Sequence, residues 1–172
     1  MTVRIRPAQP TDDADLLALD LRSWSAESGF PSLLADPPTT FFSGRAGPAA
    51  HLVAELGGRP VGYVRLVLAY PMPGAAHVLA IQGIAVAPDA RGHGVGGALL
   101  AATEEHARRR GVRKITLNVF ATNAAARRLY ARHGYVQEGL RRREFRIDDH
   151  WVDDLTLARH LDRAERPTQD GP

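Results

Sequence analysis

The chain has 172 residues, a length that fits one domain with a sizeable core, and its 22 basic and 19 acidic residues give a formal charge of only +3. It contains no cysteine, which excludes a disulfide framework, a thiolate nucleophile and a cysteine-based zinc site. No stretch approaches the ~20 apolar residues of a membrane span, and residues 1–7 lack the apolar run of a signal peptide, so a cytoplasmic location is expected.

Residues 3–6 alternate like a short strand, and Thr11-Asp12-Asp13-Ala14 reads as a helix start with a capping threonine and early acids. Leu16, Leu17, Leu19 and Leu21 supply that helix with its apolar side. Glycines and prolines then accumulate over residues 28–48, which predicts a loop or broken helix. Residues 51–55 and 61–69 read as strands joined by Leu56-Gly57-Gly58-Arg59-Pro60, a hairpin signal. After the break at Pro71-Met72-Pro73-Gly74, a strand is expected over 78–86 and an amphipathic helix over 95–109, closed by Gly111. A strand over 113–120, a helix over 124–132 and two strands over 136–147 and 151–157 around Asp148-Asp149 complete the body, residues 1–162. The remaining residues, 163–172, read as a polar, disordered tail. A mixed α/β sheet with helices on both faces follows.

The most informative stretch is the one that joins Ile84-Ala85-Val86 through Pro88 to Arg91-Gly92-His93-Gly94-Val95-Gly96-Gly97 and then a helix. Pro88 ends the strand, and the glycines beyond it admit backbone conformations that a Cβ forbids. Several N–H groups can converge there with the positive end of the helix dipole, a cradle suited to a phosphate. Gly92, Gly94 and Gly97 also satisfy the G-x-G-x-x-G spacing of a dinucleotide fold, but that fold wants a carboxylate about 20 residues on. Leu117 and Asn118 stand there instead. No Gly-Lys-Ser or Gly-Lys-Thr follows the turn, so a P-loop is excluded.

Arg91-Gly92-His93-Gly94-Val95-Gly96 resembles the signature of the GCN5-related N-acetyltransferases: Arg or Gln, two residues, Gly, one residue, Gly or Ala. The block from Asn118 to Tyr135 resembles that family's later strand, Asn-led helix and aromatic close, and the resemblance extends from Val3 to about Leu161. It implies a mostly antiparallel mixed sheet, acetyl-CoA as cosubstrate, no metal, and attack of a neutral amine on the thioester through a tetrahedral intermediate. The N–H groups from Gly92 to Gly97, with Arg91 beside them, would hold the diphosphate. Ile84 and Val86 would pair with the pantetheine arm as an added strand does, Ala85 between them counting with the cofactor-binding residues, and an N–H near Ile84 to Val86 would face the oxyanion. Asn123 and Ala126 at the helix start would meet the cofactor. Tyr130 would protonate the leaving thiolate, since a phenol with its ordinary pKa of ~10 is protonated at neutral pH. The plain alternatives are a core aromatic beside Leu129 for Tyr130 and a simple helix cap for Asn123.

The general base is where the chain departs from the family. Many relatives carry Glu where this chain has Gln82, and those that acetylate a ribosomal protein's N-terminus carry Glu where it has Asn118. The resemblance implies that the loop region between the first and second helices borders the acceptor site; an ordered water near Gln82, His77, or an acid near this acceptor loop such as Glu27 are the candidates left. Arg108-Arg109-Arg110 and Arg141-Arg142-Arg143 lack interleaved aromatics and do not read as nucleic-acid patches. The seven histidines show no metal-ligand spacing. Asp153-Asp154 reads as strand-end charge placed to meet an amine. The closing segment, residues 134–159, resembles the amino-acid N-acyltransferase branch, so the expected acceptor is a small primary amine, an amino acid among them. A protein N-terminus, a non-catalytic acyl-CoA sensor and an NAD-binding protein are the competing readings. Neither nucleic acid nor membrane is called for, and a homodimer is compatible with the resemblance.

Overall fold

The computed structural model describes residues 2–23, 25, 37–43 and 46–162. The expected tail and Glu27 lie outside these residues, as does much of the acceptor loop. Seven strands form one sheet: β1 (Arg4–Pro7), β2 (His51–Leu56), β3 (Arg59–Leu68), β4 (Val78–Val86), β5 (Lys114–Phe120), β6 (Val136–Ile147) and β7 (His150–His160). Their order is β1-β2-β3-β4-β5-β7-β6, antiparallel throughout except for the parallel pair β4–β5. Three helices accompany them: α1 (Asp13–Ser23), α2 (Val95–Arg109) and α3 (Ala124–Arg132). The mixed, mostly antiparallel sheet is the one the sequence predicts.

Gly57 and Gly58 both have positive φ, the backbone that a two-residue hairpin turn between β2 and β3 requires. Pro60, which cannot donate to a ladder, lies at the irregularity between Ala54 and Glu55 where pairing is already broken. The start of α1 differs from expectation. Thr11 caps nothing; it lies inside a short 3-10 turn, Pro10–Asp12, and α1 begins at Asp13. Asp12 is buried because Arg6 of β1 grips both its oxygens at 2.7 Å while donating from Nε to Glu55 of β2, also at 2.7 Å. The carboxylate also accepts the Gln9 N–H at 2.7 Å. One guanidinium thus ties the entry of α1 to the first two strands.

The helices take opposite faces because adjacent residues of β3 point opposite ways. A Cβ at Gly62 would lie 2.9 Å from the Ala85 carbonyl and 3.1 Å from Val95 of α2, whereas the Tyr63 hydroxyl donates to Asp20 of α1. Leu16 and Leu19 are wholly buried against one face and Val95, Leu99 and Leu100 against the other. Each such side chain stabilises by about 1.5–3 kcal/mol relative to exposure. α3 lies on the α2 side. Arg159 of β7 fastens it there, donating from Nη1 to the His133 carbonyl at the end of α3 and from Nη2 to Glu104 of α2 at 2.7 Å. Gly134, with φ of 74°, could not carry a Cβ for a second reason: the Cβ would lie 3.0 Å from Arg159 Nη1.

Arg6 holds the Asp12 carboxyl below its ordinary range, chiefly through the side-chain hydrogen bond and against the opposing effect of burial. Below an ordinary aspartate pKa of ~3.9 the unfolded chain takes up this proton before the folded one does, so stability falls as pH drops through that window. Denaturation midpoints measured from pH 5 downward should therefore fall less steeply in Asp12→Asn than in the wild type. Equal slopes would remove Asp12 from the acid response.

Candidate functional site

β4 pairs with β5 only from Val78 to Ile81, opposite Lys114 to Leu117, while it stays on β3 as far as Val86. At the point of departure β4 carries an extra residue: Ile81 faces Leu66 and Gly83 faces Arg65, leaving Gln82 as a bulge. From there to Val86 one edge of β4 has no strand beside it. The Ala87 N–H bonds to the Val61 carbonyl at 2.9 Å, so the two-residue alternation turns the N–H and C=O of Ile84 and Val86 toward the open edge. The Val86 carbonyl there accepts from Arg91 Nε at 3.3 Å. Ala85, between them, faces β3 opposite Tyr63.

The edge leads through a 3-10 turn, Pro88–Ala90, into the glycine loop. Gly92 and Gly94 have φ of 80° and 78°, and neither would meet another atom with a Cβ, so backbone conformation selects them. The first hydrogen bond of α2 runs from the Ala98 N–H to the Gly94 carbonyl at 3.0 Å. The N–H groups from Gly92 to Gly97 have no partner among the described residues, at the positive end of a 15-residue helix. Val95, 1% exposed, anchors that end, and His93 turns its Nδ1 to the Arg91 carbonyl at 2.9 Å. Gly96 and Gly97 serve a further purpose that the motif does not announce. A Cβ at Gly96 would lie 2.9 Å from a Leu129 methyl, and one at Gly97 3.0 Å from His133 Nε2, so the missing side chains let α3 close on α2.

α3 starts at Asn123, whose side chain accepts the Ala126 N–H at 3.0 Å, as expected of a cap. Tyr130, one helical turn past Ala126, is 4% exposed and stacks on Tyr135 at 5.7 Å between ring centroids. Burial pushes the pKa of its hydroxyl above the ordinary phenol value. The phenol is protonated throughout the physiological range.

The base candidates separate. His77 is exposed and its carbonyl accepts from Arg113 and Lys114 at the far end of β4, away from the opening. Gln82 is exposed at the bulge. The Asn118 amide is satisfied when its oxygen accepts from Arg141 at 2.6 Å and its nitrogen donates to Thr156 Oγ1 at 3.2 Å. Asp154 is not strand-end charge: it is mid-strand, 2% exposed and paired with Arg141. Asp153 accepts the N–H of Arg143, a residue of positive φ in a bulge of β6.

One group escaped sequence reasoning. Tyr63 and Arg65 of β3, His51 of β2 and Asp20 of α1 share the α1 face beside Gly83. His51 donates from Nδ1 to the Gly47 carbonyl at 3.0 Å and stacks on Phe41 at 5.1 Å; burial lowers its pKa, so it is neutral at pH 7. Two alternating residues on a strand were the only signal, and their neighbours come from distant sequence.

A family model described as the acetyltransferase (GNAT) family matches residues 16–135. The chain belongs to that family. It is 30% identical over 127 residues to the aminoalkylphosphonate N-acetyltransferase of Salmonella typhimurium, covering 74% of this chain and 76% of that one. It is 31% identical over 87 residues to the uncharacterized N-acetyltransferase YhfO of Bacillus subtilis, 51% of this chain and 58% of that one, so this match spans little more than half the relative's length. A GNAT-family acetyltransferase structure from Streptococcus pneumoniae superposes with a TM-score of 0.75 at 26% identity, over 94% of this chain and 100% of that one. Among the described residues no helix is long and apolar enough to cross a membrane.

The glycines should differ in tolerance. Gly62→Ala meets a backbone oxygen and should destabilise by about 1–3 kcal/mol, whereas Gly96→Ala meets only a leucine methyl that can turn aside. Thermal melting of the two variants checks this, and equal losses would contradict it.

Proposed function

We propose that the protein transfers an acetyl group from acetyl-CoA to the primary amine of a small molecule. The observation that carries this reading is the continuity of two sets of unmet donors: the open edge of β4 and the N–H groups of the glycine loop that follows it. An extended amide chain ending in a diphosphate matches both. The pantetheine arm adds to Ile84 and Val86 as a short strand, and the diphosphate sits over Gly92 to Gly97 with Arg91 alongside. An acetyl-CoA laid this way directs its thioester toward the bulge, where a donor on the open edge meets the developing oxyanion.

Tyr130 is the proton donor to the departing thiolate in this reading: its raised pKa keeps the phenol protonated until the thiolate forms, at the cost of making it a weaker acid. Asn123 and Ala126 orient the helix that carries it. The incoming amine loses its proton to water near Gln82, since the positions where relatives carry Glu hold Gln82 and Asn118. A small acceptor is favoured over a protein N-terminus by that same Asn118, and the aminoalkylphosphonate relative is named for a small-molecule acceptor.

Acetyl-CoA and CoA, but not NAD, should raise the melting temperature. At 100 times its dissociation constant a ligand stabilises by ~2.7 kcal/mol. A shift with NAD alone would overturn the reading. Gly94→Val should abolish the acetyl-CoA shift, because a β-branched residue resists a φ of 78°. Tyr130→Phe should keep the shift and lower kcat roughly 100-fold; unchanged kcat would remove Tyr130 from the chemistry.

A further inference from the structure

Arg65 is the one unexplained charge beside the bulge. Its Nε is sealed from solvent and has no hydrogen-bond partner, and no carboxylate among the described residues pairs with the guanidinium. The residue as a whole is half-buried, but an N–H donor sealed from water without a partner is uncommon, because its lost hydration is not compensated. Asp20, an acid on this face, is already engaged by the Tyr63 hydroxyl. Arg65 acts on its neighbours all the same: its charge opposes protonation of His51 and favours ionisation of Tyr63.

Its place in the sheet gives the orphan a meaning. Arg65 stands directly opposite Gly83, the residue after the bulge, and directly opposite His51 on its other side. Cross-strand partners share a face, so the arginine rises on the α1 side, next to a glycine that leaves the floor open. A Cβ at Gly83 would find only Tyr63, at 3.8 Å. Walls of Tyr63 and His51, a bare floor at Gly83 and an unpaired guanidinium therefore meet where the thioester would lie.

We propose that Arg65 receives an anionic group of the acceptor, so that the substrate is a small amine carrying a carboxylate or phosphonate a few bonds from its nitrogen. The proposal rests on the acetyltransferase reading above. A guanidinium binds either anion through paired N–H donors, and with the anion held there the amine nitrogen is directed past Gly83 toward the open edge. Arg65 is thereby a specificity residue rather than a catalytic one. It moves no proton.

β-Alanine, 2-aminoethylphosphonate and ethanolamine share a two-carbon spacing and differ in the group opposite the amine. With wild-type protein and acetyl-CoA, at least one anionic amine should exceed ethanolamine in kcat/KM by at least about tenfold. Whichever it is tells carboxylate from phosphonate. Arg65→Gln should erase the preference by raising KM about tenfold while kcat changes little, and Arg65→Lys should restore part of it. Propionate and ethylphosphonate, which cannot be acetylated, give a readout free of turnover: calorimetry on the CoA-loaded wild type should detect one of them, and Arg65→Gln should lose it. Equal use of ethanolamine, or an Arg65→Gln variant as selective as the wild type, would overturn the proposal and leave the acetyltransferase reading intact if acetyl-CoA still shifts the melting temperature. A protein that acetyl-CoA does not stabilise would sink both.

Discussion

The site depends on a short parallel pairing. β4 and β5 share only the stretch from Val78 to Ile81, and the extra residue at Gln82 then turns β4 away while β3 continues to hold it. A sheet interior normally leaves no donor unmet, because buried amides without partners are costly. Here the gap opens in the middle of a seven-stranded sheet, and its free edge runs straight into a loop of unsatisfied N–H groups. The molecule has in effect reserved a place for one more strand, and the pantetheine arm has the backbone chemistry to fill it.

Everything around the gap serves to keep it open and aimed. α2 holds its N-terminus over β3 because Gly62 has no side chain to push it off, and α3 packs on α2 with the side-chain ends of Leu129 and His133 against Gly96 and Gly97. The Arg159 guanidinium links the end of α3 to α2 and β7, which keeps Tyr130 buried and in place. On the opposite face α1 delivers Asp20 to Tyr63, and the aromatic rings of Phe41, Phe42 and His51 cluster beside Tyr63. The open edge of β4 and the polar group beside Tyr63 thus belong to one strand pair and lie on different sides of it. That division follows from the alternation of β3 and β4 side chains, which separates Gly62 from Tyr63 and so one helix from the other.

Much of this was legible in the chain. The strand, proline, glycine and helix order from Ile84 to Leu100 announces an anion cradle, because positive φ and a helix start are local properties written in local residues. Asn123 as a cap and the Gly57-Gly58 turn are legible for the same reason. Thr11 shows the limit of that logic. Its sequence suits a cap, yet the chain there makes a 3-10 turn in which the neighbouring Asp12 accepts from Arg6 and the Gln9 N–H, while Arg6 also reaches Glu55, far along the chain. Asp154 misleads in the same manner, being paired with Arg141 across a register that a sequence does not display.

By itself the sequence determined the class of the fold, the glycine loop and the identity of its family, since each rests on residues a few positions apart. Only the tertiary structure decided where β4 leaves β5, why Gly62 and Gly96 have no side chains, and which polar groups gather beside Gly83. Arg65 belongs to this second set. Whether an arginine on a strand is a solvated charge or a half-buried one with a sealed, unpaired Nε depends on which helix covers it and which residue stands opposite, and those neighbours come from α1, β2 and β4.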